Sequence, residues 1–123
     1  MMAGYIKIET EKFELQPINT TIDTEIFEEF QKKLKQQNIP MNVVITVFVE
    51  QYLNGRYKLN EKDILKWEGG GCKISRLSTQ INKDLYIQFK DKVKSDGHYI
   101  RQVLSAFIED YANNDLVMEF IRG

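Results

Sequence analysis

The chain holds one histidine, His98, and one cysteine, Cys72. Single copies, far apart in sequence, supply neither a nucleophile with its base nor a multi-histidine metal site. Glu25, Glu28 and Glu29 cluster, but their place is the start of a helix, where negative charge complements the helix dipole. Gly69-Gly70-Gly71 is followed by no Gly-Lys-Ser/Thr and preceded by no strand, so it is a linker and not a phosphate cradle. Asn19-Thr20-Thr21 matches a glycosylation acceptor, but an intracellular chain never meets that machinery. The sequence therefore points away from an enzyme, a metal or a cofactor, and no small-molecule substrate is evident. What remains is hydrogen-bonding chemistry: the carboxamides of Asn19, Asn42 and Gln80, the guanidinium groups of Arg56, Arg76 and Arg101, and the hydroxyls of Thr21 and Ser78. His98 and Lys73 add two further polar groups.

These groups are carried by 123 residues, 42% hydrophobic and 28% charged, which suffices for one compact domain. Seventeen basic residues against eighteen acidic give a net charge of -1, so no global field draws the chain to nucleic acid or to an acidic membrane. Any basic footprint must be local. The longest apolar patch, Val43 to Val49, is interrupted by Thr46 and is far too short to span a bilayer. The amino terminus lacks the apolar stretch of a secretory signal, which with the lone cysteine leads us to expect a reducing, cytoplasmic location.

Sliding the sequence by 59 positions aligns 17–55 with 76–114 without a gap. Identical pairs include Thr20/Thr79, Ile22/Ile81, Phe30/Phe89, Lys33/Lys92, Phe48/Phe107, Glu50/Glu109, Tyr52/Tyr111 and Asn54/Asn113. Apolar residues also match at Ile18/Leu77, Ile26/Leu85, Phe27/Tyr86, Leu34/Val93, Val44/Val103, Ile45/Leu104 and Val49/Ile108. The apolar pattern stays in phase through three successive segments.

Each repeat reads as strand, helix, turn, helix. Ile18-Thr20-Ile22 and Leu77-Thr79-Ile81 alternate with polar residues, the period-2 signal of a half-buried strand. Asp23 and Asn82 follow as N-cap residues. Ile26, Phe30 and Leu34, with Leu85, Phe89 and Val93, then give a first amphipathic helix that ends near Gln37-Asn38 and Asp96-Gly97. The stretch Val43 to Val49 is rich in β-branched residues and would be a strand by propensity alone. Its repeat partner, with Val103, Leu104, Phe107, Ile108 and Tyr111, has helical spacing, so both are expected to be helices with core-facing aromatics.

Residues 56–75 connect the repeats, with a short helix from Glu61 to Trp67 capped by Asn60 and with Trp67 as a packing anchor. Tyr5 to Ile8 and Phe13 to Leu15 read as short strands, and Leu116 to Ile121 as an apolar tail. The organisation is thus 1–16 extension, 17–55 first repeat, 56–75 connector, 76–114 second repeat and 115–123 tail, in one intertwined unit.

A strand and two helices of this length cannot bury their apolar faces alone, and two copies in one chain solve that problem. The order and length resemble the ribbon-helix-helix family of Arc- and MetJ-type DNA-binding proteins. The resemblance covers 17–55 and 76–114, and the tandem form is similar to regulators of archaeal viruses. It implies a mainly α fold with a short two-stranded antiparallel β-ribbon, a tandem pseudo-dimer, which places the ribbon in the major groove of double-stranded DNA. The outward strand positions of the family correspond to Pro17, Asn19 and Thr21 and to Arg76, Ser78 and Gln80. The family's turn corresponds to Asn38-Ile39-Pro40-Met41 and Asp96-Gly97-His98-Tyr99. Pro40 and Tyr99 stand where the family has Ser or Thr, and Pro40 suits a first helical position.

On that resemblance, Arg76 and Gln80 are the leading base-contacting residues, because a guanidinium pairs with guanine O6 and N7 and a carboxamide with adenine N6 and N7. Asn19, Ser78 and Thr21 follow. Phosphates would be met where the second helices begin, by backbone N–H groups with Asn42, His98 and Arg101. The first repeat has net charge -2, the second +1 and the connector +2, so Lys73, Arg56 and Lys58 are secondary phosphate candidates. Weak overall charge implies modest affinity per molecule, or side-by-side self-association on DNA. The expected function is sequence-specific transcriptional regulation, as a repressor. The rivals are a plasmid partition or relaxosome accessory role and a protein-interaction module, antitoxin-like or an adaptor.

Overall fold

The computed structural model describes residues 14–67 and 73–113. In chain order the elements are β1 (Leu15–Asp23), α1 (Thr24–Gln37), α2 (Met41–Leu53), α3 (Glu61–Leu65), β2 (Ile74–Asn82), α4 (Lys83–Ser95) and α5 (Ile100–Asn113). The described residues are therefore mostly helical, with one two-stranded antiparallel sheet. None of these helices is long and apolar enough to cross a membrane. Tyr5 to Ile8, Phe13, the glycine linker, Cys72 and the tail from Leu116 to Ile121 lie outside the described residues.

Alternation fixes which face of each strand turns inward. Ile18, Ile22, Leu77 and Ile81 are buried, while Pro17, Asn19, Arg76, Ser78 and Gln80 are exposed. Both strands begin two residues before the expected Pro17 and Arg76, because Leu15 still pairs with Asn82 and Ile74 with Asp23. Each strand runs directly into a helix through its cap. The Asp23 carboxylate accepts from the N–H groups of Glu25 and Ile26 at 3.0 and 3.3 Å, and the Asn82 side-chain oxygen accepts from Leu85 at 3.1 Å. At the far ends, Asn38 (φ 59°) and Gly97 (φ 83°) adopt the left-handed conformation that turns the chain out of α1 and α4. The next N–H groups, of Ile39 and His98, each donate at 3.0 Å to the carbonyls of Leu34 and Val93.

The β-branched run is helical: α2 buries Val44, Ile45, Phe48, Val49 and Tyr52 along one side. Packing of that face outweighs the modest helix penalty of valine and isoleucine. Pro40, at φ -67° and ψ 145°, is the N-cap of α2 and not its first helical residue, and its carbonyl accepts from Val43 and Val44.

The first helix of each repeat packs against the second helix of the other, α1 on α5 and α4 on α2. At the centre Phe48 and Phe107 stack, with ring centroids 4.1 Å apart and planes 16° from parallel. Apart from Tyr57 of the connector, which meets both stacked rings edge-on, the surrounding contacts come in pairs whose members are related by the 59-residue offset. Phe30 meets Tyr111 edge-on at 5.5 Å and Phe89 meets Tyr52 at 5.7 Å. Phe30–Phe107 is 6.4 Å and Phe89–Phe48 is 6.1 Å. The Tyr52 hydroxyl donates to Asp96 at 2.7 Å, and the Tyr111 hydroxyl donates to Gln37. Lys92 lies over the Tyr52 ring and Lys33 over that of Tyr111.

The connector adds a layer of its own. Asn60 caps α3 through the Lys62 N–H at 2.9 Å, and Ile64 and Trp67 are buried, as expected of a packing anchor. With α3 against it, α5 is buried continuously from Gln102 to Ile108. The Tyr57 hydroxyl reaches Asp110 of α5.

Two predictions follow from this core. Phe107→Ala removes one ring of the central stack and is expected to cost about 3–5 kcal/mol of stability, read from urea unfolding. The second concerns alkaline pH. Burial first, and then the bonded carboxylates of Asp96 and Asp110, push the phenols of Tyr52 and Tyr57 above their ordinary range, while burial raises Tyr111. Folding thus favours the protonated phenols, a contribution that is whole below about pH 10, the unfolded tyrosine value, and is lost above it. The thermal midpoint is expected to hold steady up to about pH 9 and fall above about pH 10, less steeply in Tyr52→Phe.

Candidate nucleic-acid interface

The outward face of the ribbon is built by the same alternation that buries its inner face. Thr21 stands opposite Arg76, Asn19 opposite Ser78 and Pro17 opposite Gln80. Asn19, Ser78, Arg76 and Gln80 are exposed, and Thr21 is half-buried. The strands thus bring all five sequence-nominated base-contacting residues onto one two-stranded surface. Arg76 and Gln80, four residues apart on β2, are separated along it by about 13 Å.

These side chains are not equally available. Ser78 Oγ and Asn19 Oδ1 bond to each other at 2.7 Å at the middle of the ribbon, which leaves the Asn19 amide NH2 as the donor for another molecule. Neither Arg76 nor Gln80 has a side-chain partner among the described residues. A guanidinium and a carboxamide are therefore carried on a paired ribbon with their hydrogen-bonding groups unspent.

Two apolar residues extend this face. Leu15 and Ile74, equivalent in the repeat, are 61% and 57% exposed at its two ends. Neither falls inside the repeat as bounded at Pro17 and Arg76, but extending the same alignment two residues back finds both. The residues preceding the strands differ in charge. Lys73 precedes β2, and its carbonyl accepts from the Thr24 N–H at 3.0 Å. Glu14 precedes β1, its carbonyl accepts from the Lys83 N–H at 2.8 Å, and its carboxylate pairs with Lys83 at 3.3 Å.

The proposed phosphate residues are spread more widely. Asn42 is exposed in the first turn of α2, where backbone N–H groups lack helical acceptors. Arg101 occupies the matching turn of α5 but is half-buried, and its Nη2 donates to the Trp67 carbonyl at 3.3 Å. The Tyr99 N–H beside it is satisfied by the Gln102 side chain at 2.9 Å. The two helix starts are thus chemically unlike. His98 is half-buried, with Nδ1 buried and unpartnered among the described residues, and it borders a surface cavity of about 330 Å³ shared with Tyr52, Tyr57, Lys92 and Asp96. Arg56 is exposed beyond the C-terminal end of α2, a helix that runs roughly 16 Å from Asn42 to Leu53. Lys58 borders the His98 cavity.

Among the described residues no group of three or more His, Cys, Asp or Glu side chains is placed to hold a metal ion. Comparison with protein-family models, with curated proteins and with solved structures finds no match to this chain.

Because Arg76 and Gln80 are exposed and outside the core, Arg76→Ala combined with Gln80→Ala is expected to change unfolding free energy by no more than about 1 kcal/mol, about 0.5 kcal/mol for each substitution. Thermal and urea unfolding followed by circular dichroism checks this.

Proposed function

We propose that this chain is a single-chain ribbon-helix-helix protein that binds double-stranded DNA in the major groove and regulates transcription, as a repressor. The observation that carries the reading is the register of the ribbon. Strand residues 59 apart in sequence are equivalent in the repeat, and Asn19 and Ser78, one such pair, lie directly opposite each other. Pro17 then faces the equivalent of Thr21, and Thr21 faces the equivalent of Pro17. This register, together with the paired aromatic contacts, is what an approximate two-fold relation between the repeats about the Asn19–Ser78 pair would produce. The register and the paired contacts support the reading as a tandem pseudo-dimer, in which one polypeptide would supply both strands of a reading ribbon.

The chemistry of the outer face supports the same reading. A two-stranded ribbon fits a major groove about 12 Å wide, and arginine, glutamine and asparagine are the side chains suited to paired bonds with base edges. Phosphate contacts fall to the first turn of α2 with Asn42, to Lys73, and to the start of α5 with His98 and Arg101, subject to Arg101 releasing the Trp67 carbonyl. The small net charge limits affinity per molecule, so occupancy of a regulatory site would be strengthened by molecules binding side by side.

The test is binding of the full chain to a pool of random duplexes, followed by fluorescence anisotropy on the retained sequences. Affinity is expected to fall steeply as salt rises, and Arg76→Ala with Gln80→Ala to abolish sequence preference without loss of fold. Sequence preference unchanged by that double substitution would show that another surface reads the DNA. Absence of duplex binding at low salt would favour a protein-interaction module instead.

A further inference from the structure

We propose that the DNA sequence selected by this ribbon is not a palindrome, and that its two halves are read by different chemistry. The inference rests on the DNA-binding reading above and deepens it. Across the Asn19–Ser78 pair the backbones are related by approximate two-fold symmetry, but the outward side chains are not. One end of the ribbon presents Arg76 beside Thr21, and the other presents Gln80 beside Pro17. A symmetric reader would carry the same pair at both ends.

The two ends therefore ask for different bases. At the first, the guanidinium offers paired donors for guanine O6 and N7, with the Thr21 methyl and hydroxyl beside it. At the second, the Gln80 carboxamide offers one donor and one acceptor, the complement of adenine N7 and N6, and Pro17 offers only apolar contact, suited to a thymine methyl. The separation of about 13 Å along β2 exceeds the roughly 3.4 Å axial rise of one base pair, so the two side chains would meet different base pairs.

The charged groups beside the two ends also differ. Lys73 precedes β2 at the Arg76 end, where Ile74 pairs with Asp23. At the Gln80 end the matching position is Glu14, paired with Lys83 at 3.3 Å. Lys73 shares a surface cavity with Asp23, Glu25 and Glu28, so the two ends differ in the arrangement of their charges and not in a simple excess of one sign. The helix starts differ in the same sense of breaking the symmetry, since α5 has its preceding N–H satisfied by Gln102 and α2 begins at Pro40. A non-palindromic site gives the bound protein one orientation on the duplex, so molecules binding side by side would align head to tail.

The experiment uses the full chain. Sites are selected from a random duplex pool, and the selected duplex is then compared with its two symmetrised derivatives, each carrying one half twice as an inverted repeat. The selected duplex is expected to bind roughly tenfold more tightly than either derivative, the worth of one mismatched paired contact. Arg76→Ala is expected to relax base preference in one half only and Gln80→Ala in the other half only. Pro17→Arg with Thr21→Gln makes the outward arginine and glutamine positions alike in the two repeats and is expected to shift the selected site toward a palindrome. Selection of a palindrome by the unaltered chain, selection without base preference, or relaxation of both halves by either single substitution would overturn this inference while leaving DNA binding in place. Retention of no duplex would overturn the DNA-binding reading and this inference with it.

Discussion

The stack of Phe48 on Phe107 is the contact around which the rest of the molecule is arranged. Each ring comes from a second helix, and a single repeat of about 40 residues has too little apolar surface to keep such a ring from water. Burial requires the other repeat. The rings of Phe30 and Tyr111 close around Phe107, and those of Phe89 and Tyr52 close around Phe48, so each side of the stack is walled by both halves of the chain. The helices cross between halves because that is where the rings are.

Strand pairing is subordinate to this core. Ile18, Ile22, Leu77 and Ile81 must all point toward the helices, and a slip of one residue in either strand would turn its isoleucine or leucine pair into solvent. Two backbone bonds reinforce the register at its ends, from Thr24 to Lys73 and from Lys83 to Glu14, each joining the start of one strand to the start of the helix that follows the other. The outward face is fixed as a consequence. Arg76, Gln80, Asn19 and Ser78 are placed by the register of the core beneath them, although none contributes to that core. The outward positions of the two strands carry one cation, Arg76, and one anion, Asp23, whose carboxylate also caps α1.

Much of this was legible in the residue order. The alternation of Ile18, Thr20 and Ile22 fixed the strand and its buried side, and Asp23 and Asn82 announced the helices that follow them, because a short side chain that accepts from the first-turn N–H groups is a local device. Asn38 and Gly97 marked the turns for an equally local reason, their tolerance of positive φ. Even the β-branched segment of α2 became readable once its partner segment supplied the helical spacing. The misses arose where partners are distant. Leu15 and Ile74 join the ribbon because Asn82 and Asp23 lie across from them, and Arg101 is drawn toward the connector by the Trp67 carbonyl. The bond between Asn19 and Ser78 spans 59 residues and has no local signature.

The sequence by itself determined the elements, their order, their buried faces and the equivalence of the two repeats, since each follows from periodicity, capping and turn chemistry within a few residues. Tertiary structure decided which strand positions oppose each other, which helices share a core, and which polar side chains remain unspent on the outer face. Those outcomes depend on contacts between residues tens of positions apart, whose geometry is set only when the aromatic rings of both halves are removed from water together.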